Sequence, residues 1–152
     1  MNLVELLDLG IRLEEKISAC YEDLSRLCSD DALSRRLHKM AQEEINHANI
    51  LRSGKQFLRK MPDVFGIELM TAGEIKGGFT LAEGLQKMIR QTSNLEDGLK
   101  LLLELEKRFE KVHFDTSIEI RDESLKKLFK DLSQEDQAHA KSLVEIISSL
   151  SK

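Results

Sequence analysis

Apolar residues recur along this chain at steps of three and four, the spacing that lines one face of an α-helix. The first stripe runs Leu3, Leu6, Leu7, Leu13, Ile17, Cys20, Tyr21, Leu24 and Leu27, and predicts a helix over about 2 to 28. It stops at CSDD, where Ser29 or Asp30 can cap a second helix. That helix runs to about residue 59 on Leu33, Leu37, Met40, Ala41, Ala48, Leu51 and Leu58. The stretch RKMPDVFGIELMTAGEIKGGF then breaks the pattern with the only proline and four glycines, and predicts a long connection. Capping-box spacings at Thr80 to Glu83 and Ser93 to Glu96 predict a short helix over about 80 to 92 and a third long helix over about 94 to 120. Asp122 can start a fourth, reaching about residue 150 on Leu125, Leu128, Phe129, Leu132, Ala140, Leu143, Ile146, Ile147 and Leu150. The expected fold is all-α, a single domain over 1 to 152. One hairpin covers about 1 to 59, a crossover with a short helix about 60 to 92, and a second hairpin about 93 to 152, together a four-helix bundle.

Composition narrows this only a little. The 152 residues, 41% hydrophobic and 33% charged, suit one soluble domain with a core. A net charge of -4 with scattered Lys and Arg argues against nucleic acid or an anionic membrane as partner. The opening MNLVELLDLGIRLEEK has no basic n-region or cleavage site and no run is long enough to span a bilayer, so the expected location is cytoplasmic. Cys20 and Cys28 are eight positions apart on one predicted helix. At 1.5 Å rise per residue they sit roughly 12 Å apart, too far for a disulfide, and read as core thiols.

A repeat changes the picture more. Residues 42 to 51 read QEEINHANIL, and ninety-two positions later residues 134 to 143 read QEDQAHAKSL. The same shift lays Leu13 and Glu14 on Leu105 and Glu106, Tyr21 on His113, Asp23 on Asp115 and Leu33 on Leu125. The intervals from Glu14 to Glu44 and from Glu106 to Asp136 are both thirty. The two hairpins therefore read as copies of one unit.

The repeated acids fall inside apolar stripes. Glu14 lies on the face of Leu13, Ile17 and Cys20, whereas Glu15 and Lys16 lie off it. Glu44 with His47, Glu106, and Asp136 with His139 fill the inward turn on the other three helices. Ionised carboxylates in an apolar interior carry a desolvation cost of several kcal/mol each, and no Lys or Arg shares their stripes. Protonation, buried water or bound cations must compensate. One Glu-x-x-His alone is commonly a surface coincidence, but six polar residues in register on four stripes make a ligand set for two divalent metals. Glu-x-x-His places both side chains on one face about a turn apart. Ligation by O and N without thiolate suits iron or manganese, with zinc as a substitute.

With a Glu on the first and third long helices and an acid-x-x-His on the second and fourth, the chain resembles the ferritin-like superfamily, most closely the rubrerythrin-type diiron domain. LEEKISACYEDL is similar to the rubrerythrin first helix and QEEINHA to the second. The resemblance implies a site of two iron ions, with Glu14 and Glu106 as terminal ligands, Glu44 and Asp136 bridging, and His47 and His139 completing one shell each. It also implies reduction of hydrogen peroxide or dioxygen in oxidative-stress defence. Three departures stand out. Asp136 replaces the usual Glu and is one methylene shorter; Phe109 stands where a second helix-3 acid is usual, with Glu110 one position off; and no Cys-x-x-Cys pair is present, so electrons would come from an external donor protein. His113 reads as a core histidine bonded to a neighbouring carboxylate rather than as a ligand, and His38 as a surface residue. Two other readings stand beside this one: ferroxidase-linked iron storage, and a metal-free bundle serving as an interaction protein. A homodimer is compatible with the pattern, though no exposed stripe marks an interface.

Overall fold

The computed structural model describes residues 3–60, 72–91 and 94–150, with side chains from residue 76 onward in the middle segment. Among the described residues every regular element is a helix. These are α1 (Leu3–Leu27), α2 (Asp31–Arg59), α3 (Ala72–Gln91), α4 (Leu95–Glu119) and α5 (Glu123–Leu150). No helix among them is long and apolar enough to cross a membrane.

Polar side chains set the helix starts. Asp30 accepts a hydrogen bond from the Leu33 amide at 3.1 Å, and Asp122 one from the Leu125 amide at 3.0 Å. At α4 the cap is Asn94, which accepts from the Asp97 amide at 3.1 Å. Ser93, expected in that role, lies outside the described residues.

Each apolar stripe is buried against its sequence neighbour. α1 packs along α2 and α4 along α5, and the two hairpins meet through α1 against α4 and α2 against α5. The core joins Leu13, Ile17, Leu24, Leu37, Leu51, Leu105, Phe109, Leu132 and Leu143. Leu27 and Leu150, at the ends of their stripes, are exposed. The predicted repeat has a counterpart in packing. Ser18 on α1 donates to the Ala41 carbonyl on α2 at 2.8 Å, and Ser133 on α5 donates to the Glu110 carbonyl on α4 at 2.8 Å. Shifted by ninety-two positions, those two helix pairs touch at the same register with the serine on opposite partners.

The connection departs from expectation. α3 begins at Ala72 and runs through the glycine-rich stretch, and Thr80 sits inside it, bonding back to the Lys76 carbonyl at 3.3 Å instead of capping a helix. Packing supplies the reason. α3 lies against α1 and α4, and a Cβ on Gly78 would stand 2.1 Å from the Phe109 ring. The missing side chain that weakens the helix locally is what lets its backbone approach α4, so close tertiary contact overrides propensity. The rest of the predicted crossover, residues 61–71, lies outside the described residues.

Candidate metal centre

The acids and histidines singled out by the repeat come together in the interior. Glu14 from α1, Glu44 and His47 from α2, Glu106 from α4, and Asp136 and His139 from α5 are all buried. Their ligand atoms form two overlapping groups, each within 4.8 Å: Glu14, Glu44, His47 and Asp136 in one, Glu44, Glu106 and His139 in the other. Glu44 is common to both. These buried clusters could hold metal ions.

Each imidazole turns Nδ1 inward. His47 Nδ1 lies 3.2 Å from Glu44, 3.6 Å from Glu14 and 4.0 Å from Asp136. His139 Nδ1 lies 2.8 Å from Glu44 and 3.3 Å from Glu106. The opposite nitrogens face acids on the other hairpin. His47 Nε2 pairs with Glu135 of α5, and His139 Nε2 pairs with Glu43 of α2 at 2.7 Å. A ring protonated on Nε2 donates to its outer acid and leaves the Nδ1 lone pair aimed at the carboxylates, the orientation a metal-binding histidine needs. A groove of about 390 Å³, lined by Glu43, Asn46, Ile50, Glu135, Ala138 and His139, opens the site to the surface between α2 and α5.

Two further side chains reach the acids from α1 and α4. The Tyr21 hydroxyl donates to Glu106 at 2.7 Å. Its counterpart in the repeat, His113, places Nδ1 2.5 Å from Asp136 and Nε2 3.7 Å from Glu14. This buried histidine is thus the carboxylate-bonded core residue expected of it. His38 is exposed beside Glu22, and Glu110 lies at the outer surface with Lys107 and Lys111, away from the cluster. Cys20 is fully buried, while Cys28 is only half-buried and donates to the Leu24 carbonyl at 3.5 Å.

Loss of water is the largest influence on each of these groups and favours the neutral form. In Glu44 it combines with the charges of Glu106 and Glu14 to hold the carboxyl well above the usual range. Burial, with Glu14 and Glu106 nearby, pushes Asp136 up to about 7 against the pull of His113. For the imidazoles, surrounding acids outweigh burial. His47 rises to about 9 beside Glu14, Asp136 and Glu135, and His139 to about 11 beside Glu106 and Glu44. His113 is raised by Asp136 and Glu14. Burial would lift Glu14 too, but the close approach of Glu44 and His47 and the charges of His47 and His113 bring it down to about 2. Burial, Glu106 and Glu44 hold the Tyr21 hydroxyl protonated.

The cluster therefore balances its negative charge with protons, and incompletely. Glu14 Oε2, Glu44 Oε2, Glu106 Oε2 and His47 Nδ1 are buried without a hydrogen-bond partner, a costly state for polar atoms. These four atoms are all lone-pair donors when the groups are deprotonated, and their residues belong to the two groups that share Glu44. A divalent cation bound by O and N would satisfy them and replace the protons, so the residues present fit a carboxylate–histidine metal site.

Comparison with protein-family models, curated proteins and solved structures finds no match to the chain. Glu43 and Glu135 are the site residues that the helical stripes do not reveal. Each lies one position before an inner acid, off the buried face. The signal that could have found them is the repeat, which writes Glu at both positions.

Proposed function

We propose that the chain is a non-haem diiron-carboxylate oxidoreductase of the ferritin-like kind, similar to rubrerythrins, that reduces hydrogen peroxide or dioxygen. The observation that carries this reading is the pair of groups sharing Glu44, four buried carboxylates and two Nδ1 atoms drawn from four helices with no lysine or arginine among them. Glu14, Glu44, His47 and Asp136 would hold one ion and Glu44, Glu106 and His139 the other. Iron bound there would supply the two electrons for reduction of peroxide, with two protons, to two waters.

The chain's own groups serve the rest of that balance. Glu44 spans both positions and keeps them adjacent. Glu43 and Glu135 at the groove hold the Nε2 protons of His139 and His47, fixing both rings and linking the interior to solvent. Tyr21 keeps its proton, donates a hydrogen bond to Glu106 and steadies that carboxylate as charge changes. Apolar packing by Ile17, Leu105, Phe109 and Leu132 excludes bulk water from the remaining sides. Electrons to restore the ferrous state would come from an external donor protein.

The test is anaerobic loading with ferrous iron, counting iron per chain and then following peroxide consumption, with Glu44→Ala alongside. Close to two irons per chain, peroxide turnover with a supplied reductant, and loss of both in the variant are expected. A wild-type chain that retains no iron would sink the reading and leave a structural bundle; uptake far beyond two, in a large particle, would replace it with storage.

A further inference from the structure

The two cation positions differ in a way that the repeat alone would not produce. Glu44 directs one oxygen to each histidine, Oε2 to His47 at 3.2 Å and Oε1 to His139 at 2.8 Å. Its counterpart Asp136 does not. Its Oδ1 faces His47 at 4.0 Å, and its Oδ2 is held by His113 Nδ1 at 2.5 Å. Two observations explain the difference. Asp136 is one methylene shorter than Glu44, so it spans less of the site. The His113 ring packs against both Phe109 and Phe129, with ring centres 6.1 Å away in each case, and meets the second oxygen of Asp136 with its Nδ1. Tyr21, at the matching position, bonds Glu106 instead and leaves both Glu44 oxygens to the site. The four-donor group is fully interior, while His139 of the three-donor group lines the groove.

We infer that His113 is a positioning residue that ties Asp136 to the Glu14–His47 position, so that this four-donor position binds a cation first and the three-donor Glu106–His139 position binds second. The consequence is a division of labour. The first ion is held by a nearly closed protein shell; the second, beneath the groove, keeps room for a small ligand from solvent.

This rests on the metal-site reading above, and cobalt(II) tests the two separately. Metal-free wild-type chain is titrated with cobalt(II) by calorimetry and by visible absorption, next to His113→Phe and His113→Asn. The Phe variant keeps a ring against Phe109 and Phe129 but cannot hold Asp136. The Asn amide nitrogen falls near the position of Nδ1 and restores the bond. Wild type should bind two cobalt ions in separate steps, with affinities differing by roughly 10- to 100-fold, the size of effect that outer partners of metal ligands produce. His113→Phe should bring the two steps together, and His113→Asn should keep them apart. A variant that was merely less stable would weaken both steps alike and leave their ratio unchanged. Two equal steps in wild type, or an unchanged ratio in His113→Phe, would overturn the inference while leaving the metal site standing. No cobalt bound to wild type would remove the site itself, and the inference with it.

Discussion

The α1–α2 hairpin and the α4–α5 hairpin share a scaffold and differ in how they treat their charges. Both present an acid on the first helix, an acid-x-x-His on the second, an outer acid beside it, and a serine contact at one register. The distance from His47 to Glu14, 3.6 Å, is close to that from His139 to Glu106, 3.3 Å. They part at two positions. Tyr21 corresponds to His113, and Glu44 to Asp136, and of these pairs only His113 and Asp136, in the second hairpin, bond each other. Backbone register can persist while a pair of side chains redirects one carboxylate, so the symmetry of a fold sets only the starting point for the symmetry of its site.

Removing the one residue that both hairpins' positions share should have the largest effect. Glu44→Ala should abolish retention of both metals, exceeding the roughly 10- to 100-fold loss typical of an outer partner, as counted by elemental analysis after gel filtration. Asp136→Ala should spare the second position, and equal loss from both variants would erase the difference between the halves.

Proton balance comes next. His47 and His139 have folded pKa values raised from 6.5 to about 9 and about 11, so their contribution to stability is fully present below 6.5 and is lost as pH rises through those values. Asp136, raised from 3.8 to about 7, also loses stability as pH rises across that interval. Glu14, lowered from 4.5 to about 2, acts only below that window and in the opposite sense. The metal-free chain should therefore melt at progressively lower temperature between about pH 5 and about pH 9, and metal should flatten the profile. Melting curves in chelator that rise over this range would contradict the charge balance described.

The outer acids measure where the halves still agree. Glu43→Gln and Glu135→Gln should each weaken metal binding by roughly tenfold, acting on opposite positions, since each holds the histidine of the other hairpin. Zinc competition against a coloured chelator would show whether the two losses match.

Two smaller effects concern packing. Gly78→Ala should cost about 1–3 kcal/mol through overpacking against Phe109, whereas Gly84→Ala, whose Cβ would meet nothing within 4 Å, should be neutral or slightly stabilising. Urea denaturation compares them directly. Tyr21→Phe should cost on the order of 1–3 kcal/mol by leaving the buried Glu106 oxygen unpaired, and no loss would mean water takes the place of the hydroxyl.

Much of this organisation is legible in the chain because the helices are long and their stripes regular. Periodicity places Glu14, Glu44, Glu106 and Asp136 inward, and the ninety-two-residue repeat pairs them. It fails where the cause is tertiary. α3 begins within a stretch that glycine makes a poor helix by propensity, and only Phe109, on another helix, explains why glycine is needed there. Glu43 and Glu135 escape for the opposite reason. They lie outside the buried face, where a charged residue needs no explanation until the helix opposite is in place. His113 is legible as a core histidine, but its hold on Asp136 depends on the crossing of α4 and α5.

The pairing of each histidine with an acid from the other hairpin also bears on when the site comes into being. Within a hairpin, helices joined by a short link can close early, because little chain entropy is lost in bringing them together. The contacts that define the site join residues far apart, with Tyr21 and Glu106 separated by 85 positions and His139 and Glu44 by 95. During synthesis the first hairpin emerges with Glu14, Glu44 and His47, a partial set whose orienting acid has not yet been made. If the site binds metal as proposed, a cation would be retained only once the hairpins dock, and metal capture would mark the completion of folding.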